Sequence, residues 1–161
     1  MSIRNYQHSD QSEILEILKL NTPAFFSPEE EKDLIYYLGH EIESYYVIEE
    51  DNKILGCGGF NLSDNPEVVK ISWDIVHPQS QGKGLGGKLL KFRIEEIKKI
   101  EGVKIVSVRT SQLVYKFYER FGFETQEIKK DYWAEGFDLY RMECEINSFH
   151  FDPANNLKVT I

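Results

Sequence analysis

Gln81-Gly82-Lys83-Gly84-Leu85-Gly86-Gly87-Lys88-Leu89-Leu90 is the stretch on which the reading of this chain turns. It follows a strand-like run, Val68–Val76, and opens a helical one with Leu90, Ile94 and Ile97 at i, i+4 and i+7. Four glycines between positions 82 and 87 let backbone approach an anion closely. Amides in such a loop point inward, and the following helix adds about half a positive charge at its N-terminus. Lys83, Lys88 and Lys91 add cationic side chains nearby. The loop is expected to hold phosphate.

Three phosphate loops compete for it. Gly82-x-Gly84-x-x-Gly87 matches the dinucleotide fingerprint, but His77-Pro78-Gln79-Ser80-Gln81 separates it from its strand. The next strand ends in Arg109-Thr110, where that fingerprint wants an acid. Gly82-(x)4-Gly87-Lys88 matches a P-loop until Leu89, which stands where a hydroxyl must hold Mg²⁺. The third fits the whole neighbourhood. Val76-His77-Pro78, Gln81-x-x-Gly84-x-Gly86 and Leu89-Leu90 resemble the acyl-CoA pyrophosphate loop of the GNAT acetyltransferase superfamily. A second block, Ser111-x-x-Val114-x-x-Phe117-Tyr118-x-x-x-Gly122-Phe123, resembles that family's Asn-x-x-Ala-x-x-x-Tyr-x-x-x-Gly-Phe. Ser111 and Val114 depart from the family's Asn and Ala.

Outward from the loop, the pattern predicts the order βααβββαβαββ. A strand at Ser2–Gln7 leads to a helix capped by Asp10, with Ile14, Leu15, Ile17 and Leu18 on its apolar face. Asn21-Thr22-Pro23 breaks it. Ser27-Pro28-Glu29-Glu30 starts a second helix that runs to about Gly39, with Glu30 placed for a capping box. Tyr45–Glu50 and Lys53–Phe60 read as a hairpin about Asp51-Asn52. After the glycine loop come a helix to Ile100 and a strand, Lys104–Thr110. A short helix from Ser111 to Phe121 follows, and then strands Phe123–Lys130 and Phe137–Glu145. The expected architecture is α/β, of the GNAT type by resemblance: a single mixed sheet flanked by helices. One domain is expected over residues 1–146. Residues 147–161 show no period and are expected to be a C-terminal tail or an extra edge strand.

The chain has 161 residues, with 19 Lys and Arg against 27 Asp and Glu, for a net charge of −8. That balance argues against a nucleic-acid partner, which needs a basic face. No stretch reaches the ~20 apolar residues of a membrane helix, so no membrane partner is expected. The opening Met1-Ser2-Ile3-Arg4 lacks an apolar leader, and the expected location is cytoplasmic. Cys57 and Cys144 sit in strand-like runs and are expected to be buried thiols. No metal site is expected. The charge is uneven: residues 1–66 hold 13 acids and 4 bases. Gly82 to Lys99 hold Lys83, Lys88, Lys91, Arg93, Lys98 and Lys99 against two glutamates. An anionic donor at the basic stretch and a cationic amine near the acidic part would follow.

The resemblance implies an acetyl-CoA-dependent N-acetyltransferase acting on a small amine or a peptide amine by direct transfer in a ternary complex. A different class stays open, an acyl-CoA-binding sensor without turnover. Many members of the superfamily pair, so a homodimer is among the implied assemblies. The backbone of Asp74, Ile75 and Val76 should bind the pantetheine arm, with an amide of Ile75 or Val76 polarising the thioester. Gly82, Lys83, Gly84, Leu85, Gly86 and Gly87 should cradle the pyrophosphate, with Gln81 shaping the loop. Ser111 should hydrogen-bond CoA, and Tyr118 should bind it and protonate the departing thiolate. Asp74 is the candidate general base, with water as the alternative. The Ser72/Asp74/Val76 alternation puts these residues on one face unless a bulge intervenes. Walls for the acceptor are sought in Thr22–Phe26, Tyr36, Tyr37 and the Tyr132-Trp133 loop.

Overall fold

The computed structural model describes residues 1–156. Seven strands make one sheet in the order β1-β2-β3-β4-β5-β7-β6. They are β1 Ser2–Asn5, β2 Ser44–Glu50, β3 Lys53–Leu62, β4 Val68–Val76, β5 Ile105–Thr110, β6 Glu124–Ala134 and β7 Phe137–Glu145. Among the ladders only β4 and β5 run parallel. Helices α1 (Gln11–Leu20) and α2 (Glu30–Tyr36) cover one face, and α3 (Leu85–Ile97) and α4 (Tyr115–Glu119) the other. The order is the βααβββαβαββ expected, followed by a short helix α5, Pro153–Asn156.

Each face has its own core. Ile14, Ile17 and Leu18 of α1 and Leu34 of α2 pack on Val47, Cys57 and Ile75. Leu90, Ile94 and Ile97 of α3 and Phe117 of α4 pack on Val69, Ile71, Val106, Val108 and Met142. The helical spacing of these apolar residues is what commits each helix to its face. Burial of each such side chain stabilises the fold by about 1.5–3 kcal/mol.

β4 changes faces partway along. Val69 and Ile71 belong to the α3/α4 core, but Ile75 belongs to the other. Regular alternation would put all three together. The cause is a bulge: Cys57 pairs with Ile75 and Gly59 with Ser72, so Trp73 and Asp74 oppose Gly58 alone. Trp73 takes φ +50° there. The bulge breaks the expected Ser72/Asp74 alternation, and Asp74 turns to α3 and α4.

β4 also parts from β5. Their ladder runs from Val68↔Ile105 to Lys70↔Ser107. Beyond it the edge of β4 from Ile71 to Val76 has no β5 residue opposite it. The gap opens towards the glycine loop.

Several boundaries differ from the sequence reading. α2 continues as a π-helical turn, Tyr37–Glu41. α4 is shorter than expected: it begins at Tyr115, after a turn in which the Ser111 oxygen accepts from the Leu113 amide at 3.2 Å and Val114 takes φ −127°. β6 reaches Ala134, which pairs with Phe137 across Glu135-Gly136. After β7 the described residues form no strand. Phe149 and Phe151 instead stack on Phe121, with ring centroids 5.8 and 6.2 Å away. Gly122 makes room for this segment: a Cβ there would lie 2.7 Å from the Ser148 carbonyl. The expected tail or edge strand over 147–161 falls partly outside the described residues. Among the described residues no helix is long and apolar enough to cross a membrane.

Candidate active site

A cleft of about 690 Å³ follows the gap between β4 and β5. Asp74, Val76, Gln81, Ser111 and Tyr118 all line it. The sequence blocks around the glycine loop and Tyr118 thus meet at one place, although 44 residues separate Asp74 from Tyr118. Ile75 does not line the cleft; its side chain is buried in the α1/α2 core. Gly82 to Gly87 lie beyond Gln81 at the cleft's end, where Gly82 and Lys83 are exposed and Leu85 is buried.

The bulge delivers Asp74 to two partners. Its Oδ1 meets Arg93 Nη2 at 2.5 Å, an ion pair without hydrogen-bond alignment. Its Oδ2 accepts from the Tyr118 hydroxyl. Arg93 is fully buried, and it also donates to the Gly59 carbonyl at 3.0 Å and to the Leu89 carbonyl at 3.2 Å. A Cβ at Gly58 would sit 2.2 Å from Asp74 Oδ1 and 2.9 Å from Arg93 Nη1, so only glycine leaves room for the pair. Burial, then the negative charge of Asp74, push the Tyr118 phenol well above its ordinary pKa. Tyr118 therefore keeps its proton at neutral pH.

Arg93 is a correction to the sequence reading. By charge alone it belongs with the phosphate-facing bases, yet it lies inside the protein. Lys91 and Lys99 pair with Glu95 and Glu96, at 2.6 Å each. Of the basic stretch, Lys83 and Lys88 remain exposed at the glycine loop. The signal for Arg93 was legible: it falls beside Leu90, Ile94 and Ile97 on the helix's apolar stripe.

The backbone of the gap is oriented by its ladder. The His77 amide donates to the Leu55 carbonyl at 2.8 Å. Hydrogen-bonded residues alternate in an antiparallel pair, so Ile75, opposite Cys57, turns its amide to β3. Val76, between them, turns its amide and carbonyl to the gap. Its carbonyl accepts from Asn21 Nδ2 at 3.1 Å and from Gln81 Nε2 at 3.3 Å. Gln81 also donates to Asn21 Oδ1 at 2.8 Å. Buried Asn21, read from sequence only as a helix breaker, thus ties α1, β4 and the glycine loop together. Gly82 and Gly84 take φ +75° and +76°, the left-handed region the loop needs before α3 begins. The first amides of α3 have no intrahelical partner and suit an anion.

The other end of the cleft is built from side chains. Phe26 stacks with Trp73 at 6.3 Å. Asn61 gathers the Tyr37 hydroxyl at 2.6 Å and the Ser72 hydroxyl at 2.7 Å. Burial pushes the Tyr37 phenol up to about 12. Glu30 lines this end, nearly buried, with Oε2 accepting from the Ser27 amide at 2.7 Å as half of a capping box. Glu41, Glu43, Lys70, Arg109 and Trp133 line it too. Tyr36 does not: it is 56% exposed and stacks on His40. Cys57 and Cys144 are buried free thiols, and burial pushes them up to about 12 and about 11. Neither lines the cleft.

The model for the acetyltransferase (GNAT) domain matches residues 41–125, more than half of the chain. The protein belongs to the GNAT acetyltransferase family. An N-alpha-acetyltransferase of Sulfurisphaera tokodaii is 27% identical over 89% of this chain and 92% of its own length. This GNAT chain spans about a quarter of the length of the amino-acid acetyltransferase from Pseudomonas fluorescens, at 28% identity. Its fold matches the ribosomal-protein-S18-alanine N-acetyltransferase of Escherichia coli with TM-score 0.75 and 19% identity, over 94% of this chain and 96% of that one. A Salmonella typhimurium structure solved with its cofactor acetyl-CoA gives TM-score 0.71 and 23% identity, over 95% and 97%.

Proposed function

We propose that this GNAT protein transfers an acetyl group from acetyl-CoA to a primary amine of a small molecule or peptide, by direct attack in a ternary complex. The observation that carries the reading is the position of the Tyr118 phenol. It is protonated, buried and held by Asp74 beside the free edge of β4. The residues present fit acetyl-CoA. The edge of β4 past Ile71 can take an extended arm as an added strand, and the loop from Gly82 to Gly87 with the start of α3 can take phosphates.

Acetyl-CoA supplies an activated acetyl thioester; the protein supplies geometry and protons. Of the two amides considered from sequence, that of Val76 faces the gap and is the donor for the carbonyl oxygen. Tyr118 is the proton source for the departing sulfur. Its raised pKa does not disqualify it, because the same burial raises the basicity of a thiolate formed beside it. Both oxygens of Asp74 are taken, one by Arg93 and one by Tyr118. Asp74 therefore holds the phenol, and water takes the proton of the attacking amine. Arg93 positions Asp74. The Ser111 oxygen is spent on the Leu113 amide, leaving its hydroxyl proton to donate to the donor substrate. The buried free thiols suit a reducing cytoplasm.

The test is a pair of measurements. Acetyl-CoA should raise the melting temperature, and ATP–Mg²⁺ should not. Amines offered with acetyl-CoA should release CoA. Stabilisation by acetyl-CoA with no release from any amine would leave a sensor in place of an enzyme.

A further inference from the structure

Arg109 stands on the half of the sheet that no helix covers among the described residues. The core beneath α1 and α2 draws its strand residues from β2, β3 and β4 and none from β5, β6 or β7. Val106 and Val108 point into the α3/α4 core, so Ser107 and Arg109 point to the open face. Lys70, between Val69 and Ile71 of that same core, points there as well. Both cations line the cleft.

Arg109 is held without being neutralised. Its guanidinium lies 5.0 Å from the Tyr132 ring centroid and 5.7 Å from that of Trp133, and it donates to the Tyr132 hydroxyl. Directly across the β5–β7 ladder is Arg141. Like charges directly opposite one another destabilise a strand pair. Arg141 is relieved by Glu143 at 2.9 Å and Glu127 at 3.5 Å. Neither Arg109 nor Lys70 has a carboxylate partner among the described residues. Arg109 is exposed, so its guanidinium, braced by two aromatic rings, is presented to the cleft for an anion rather than spent on a carboxylate of the protein.

We propose that the acceptor carries a carboxylate beside its amine, and that Arg109 receives this carboxylate with Lys70 adding charge. The inference rests on the acetyltransferase reading above. A planar guanidinium matches a carboxylate's two oxygens, and one edge remains after Tyr132 is served. Glu30 on α2, and Glu41 and Glu43 between α2 and β2, also line the cleft, so it presents carboxylates for an ammonium as well as cations for an anion. Three carboxylates against two cations disfavour a dianion such as phosphate. The acidic N-terminal region, which alone suggests a purely basic acceptor, sends only these three of its 13 acids to the cleft.

The test uses matched acceptors that differ only in the carboxylate. Alanine, phenylalanine and glutamate are compared with their amides. An amidated peptide with an acidic second residue is compared with its neutral counterpart. The first set reads a free amino acid and the second an acidic peptide. Two readouts are taken, thermal stabilisation by the acceptor in the presence of CoA, and CoA release from acetyl-CoA. The carboxylate partner of one set is expected to bind about ten- to a hundredfold more tightly, as a charge-assisted hydrogen bond permits. Arg109→Gln should erase that preference by weakening the carboxylate partner alone, with the KM for acetyl-CoA unchanged. Equal stabilisation by carboxylate and amide, or an equal loss for both in Arg109→Gln, overturns the proposal. Carboxylate-selective binding without CoA release would keep the anion site and overturn the enzymatic reading.

Discussion

The two ends of the cleft are made from different materials. At the donor end the proposed functional groups are backbone: the Val76 amide, the loop from Gly82 to Gly87 and the start of α3. Side chains there act as braces, with Asn21 and Gln81 holding the Val76 carbonyl. At the acceptor end the proposed functional groups are the side chains of Glu30, Lys70, Trp73, Arg109 and Trp133, which line the cleft from four different elements. A backbone site demands glycines, a bulge and a parted ladder at fixed spacing, so a motif records it. A side-chain site can be rebuilt one residue at a time without disturbing the sheet. The donor end therefore identifies the family, and the acceptor end specifies the individual protein. Asp74, Arg93 and Tyr118 stand between the two.

That middle is where the largest effects are expected. Arg93→Met would strand the Asp74 carboxylate, whose side chain is only 9% exposed. Breaking a buried pair from one side costs about 3–5 kcal/mol. The denaturant midpoint should fall accordingly, and Arg93→Met combined with Asp74→Asn should recover more than half of the loss. A single variant with little loss would mean that cleft water solvates Asp74 and that the braced middle is not braced. Tyr118→Phe comes next. Losing a general acid lowers turnover by about a hundredfold or more, with acetyl-CoA affinity kept. An unchanged rate would move the proton source elsewhere in the cleft.

How much of this was legible follows the same division. The strand, loop and helix around Gln81–Leu90 and the block from Ser111 to Phe123 were readable because each position answers a local backbone requirement. The element order and both buried thiols were readable from periodicity. The bulge at Trp73 was not, because it arises from what opposes β4: Gly58 leaves room for Arg93 and Asp74, the Gly59 carbonyl accepts from Arg93, and Arg93 meets Asp74. On the proposed reading, that one displacement makes the expected general base a holder of Tyr118. It also settled which of Ile75 and Val76 faces the gap. Arg109 escaped notice because its two rings and its like-charged neighbour come from strands that follow it in the chain. Net charge counts ionisable residues and is blind to Lys91, Arg93 and Lys99 being already paired.

The ends can be separated with one methyl group. Gly82 has φ +75°, and no atom lies within 4 Å of where its Cβ would stand. Gly82→Ala therefore meets no clash, only the left-handed backbone penalty of about 1–2 kcal/mol. Where that strain relaxes the loop, acetyl-CoA affinity should fall roughly five- to thirtyfold. The acceptor KM should not move. A matching rise in the acceptor KM would show that the loop and the acceptor wall shift together, and the contrast between the two ends would fail.

The last effect is the smallest at neutral pH, where it vanishes, and it probes what lies behind the bulge. Cys57 sits on β3 opposite Ile75 with its thiol pushed up to about 12, and Cys144 lies away from the cleft at about 11. Both folded values lie above the ordinary 9.0, so between 9 and those values the unfolded chain releases its thiol protons first. The stabilisation is complete below about pH 9 and is lost as pH rises, by about 1.4 kcal/mol per pH unit for each thiol. Cys57→Ala should flatten the fall of the urea midpoint from pH 9 towards 12, and Cys144→Ala should do so only to about 11. Both variants should run parallel to the parent protein below pH 9. If Cys57→Ala leaves the alkaline slope unchanged, the thiol ionises at its ordinary value in the folded state. Water would then reach β3 behind Trp73, and the middle of the site would be wet on its α1/α2 side.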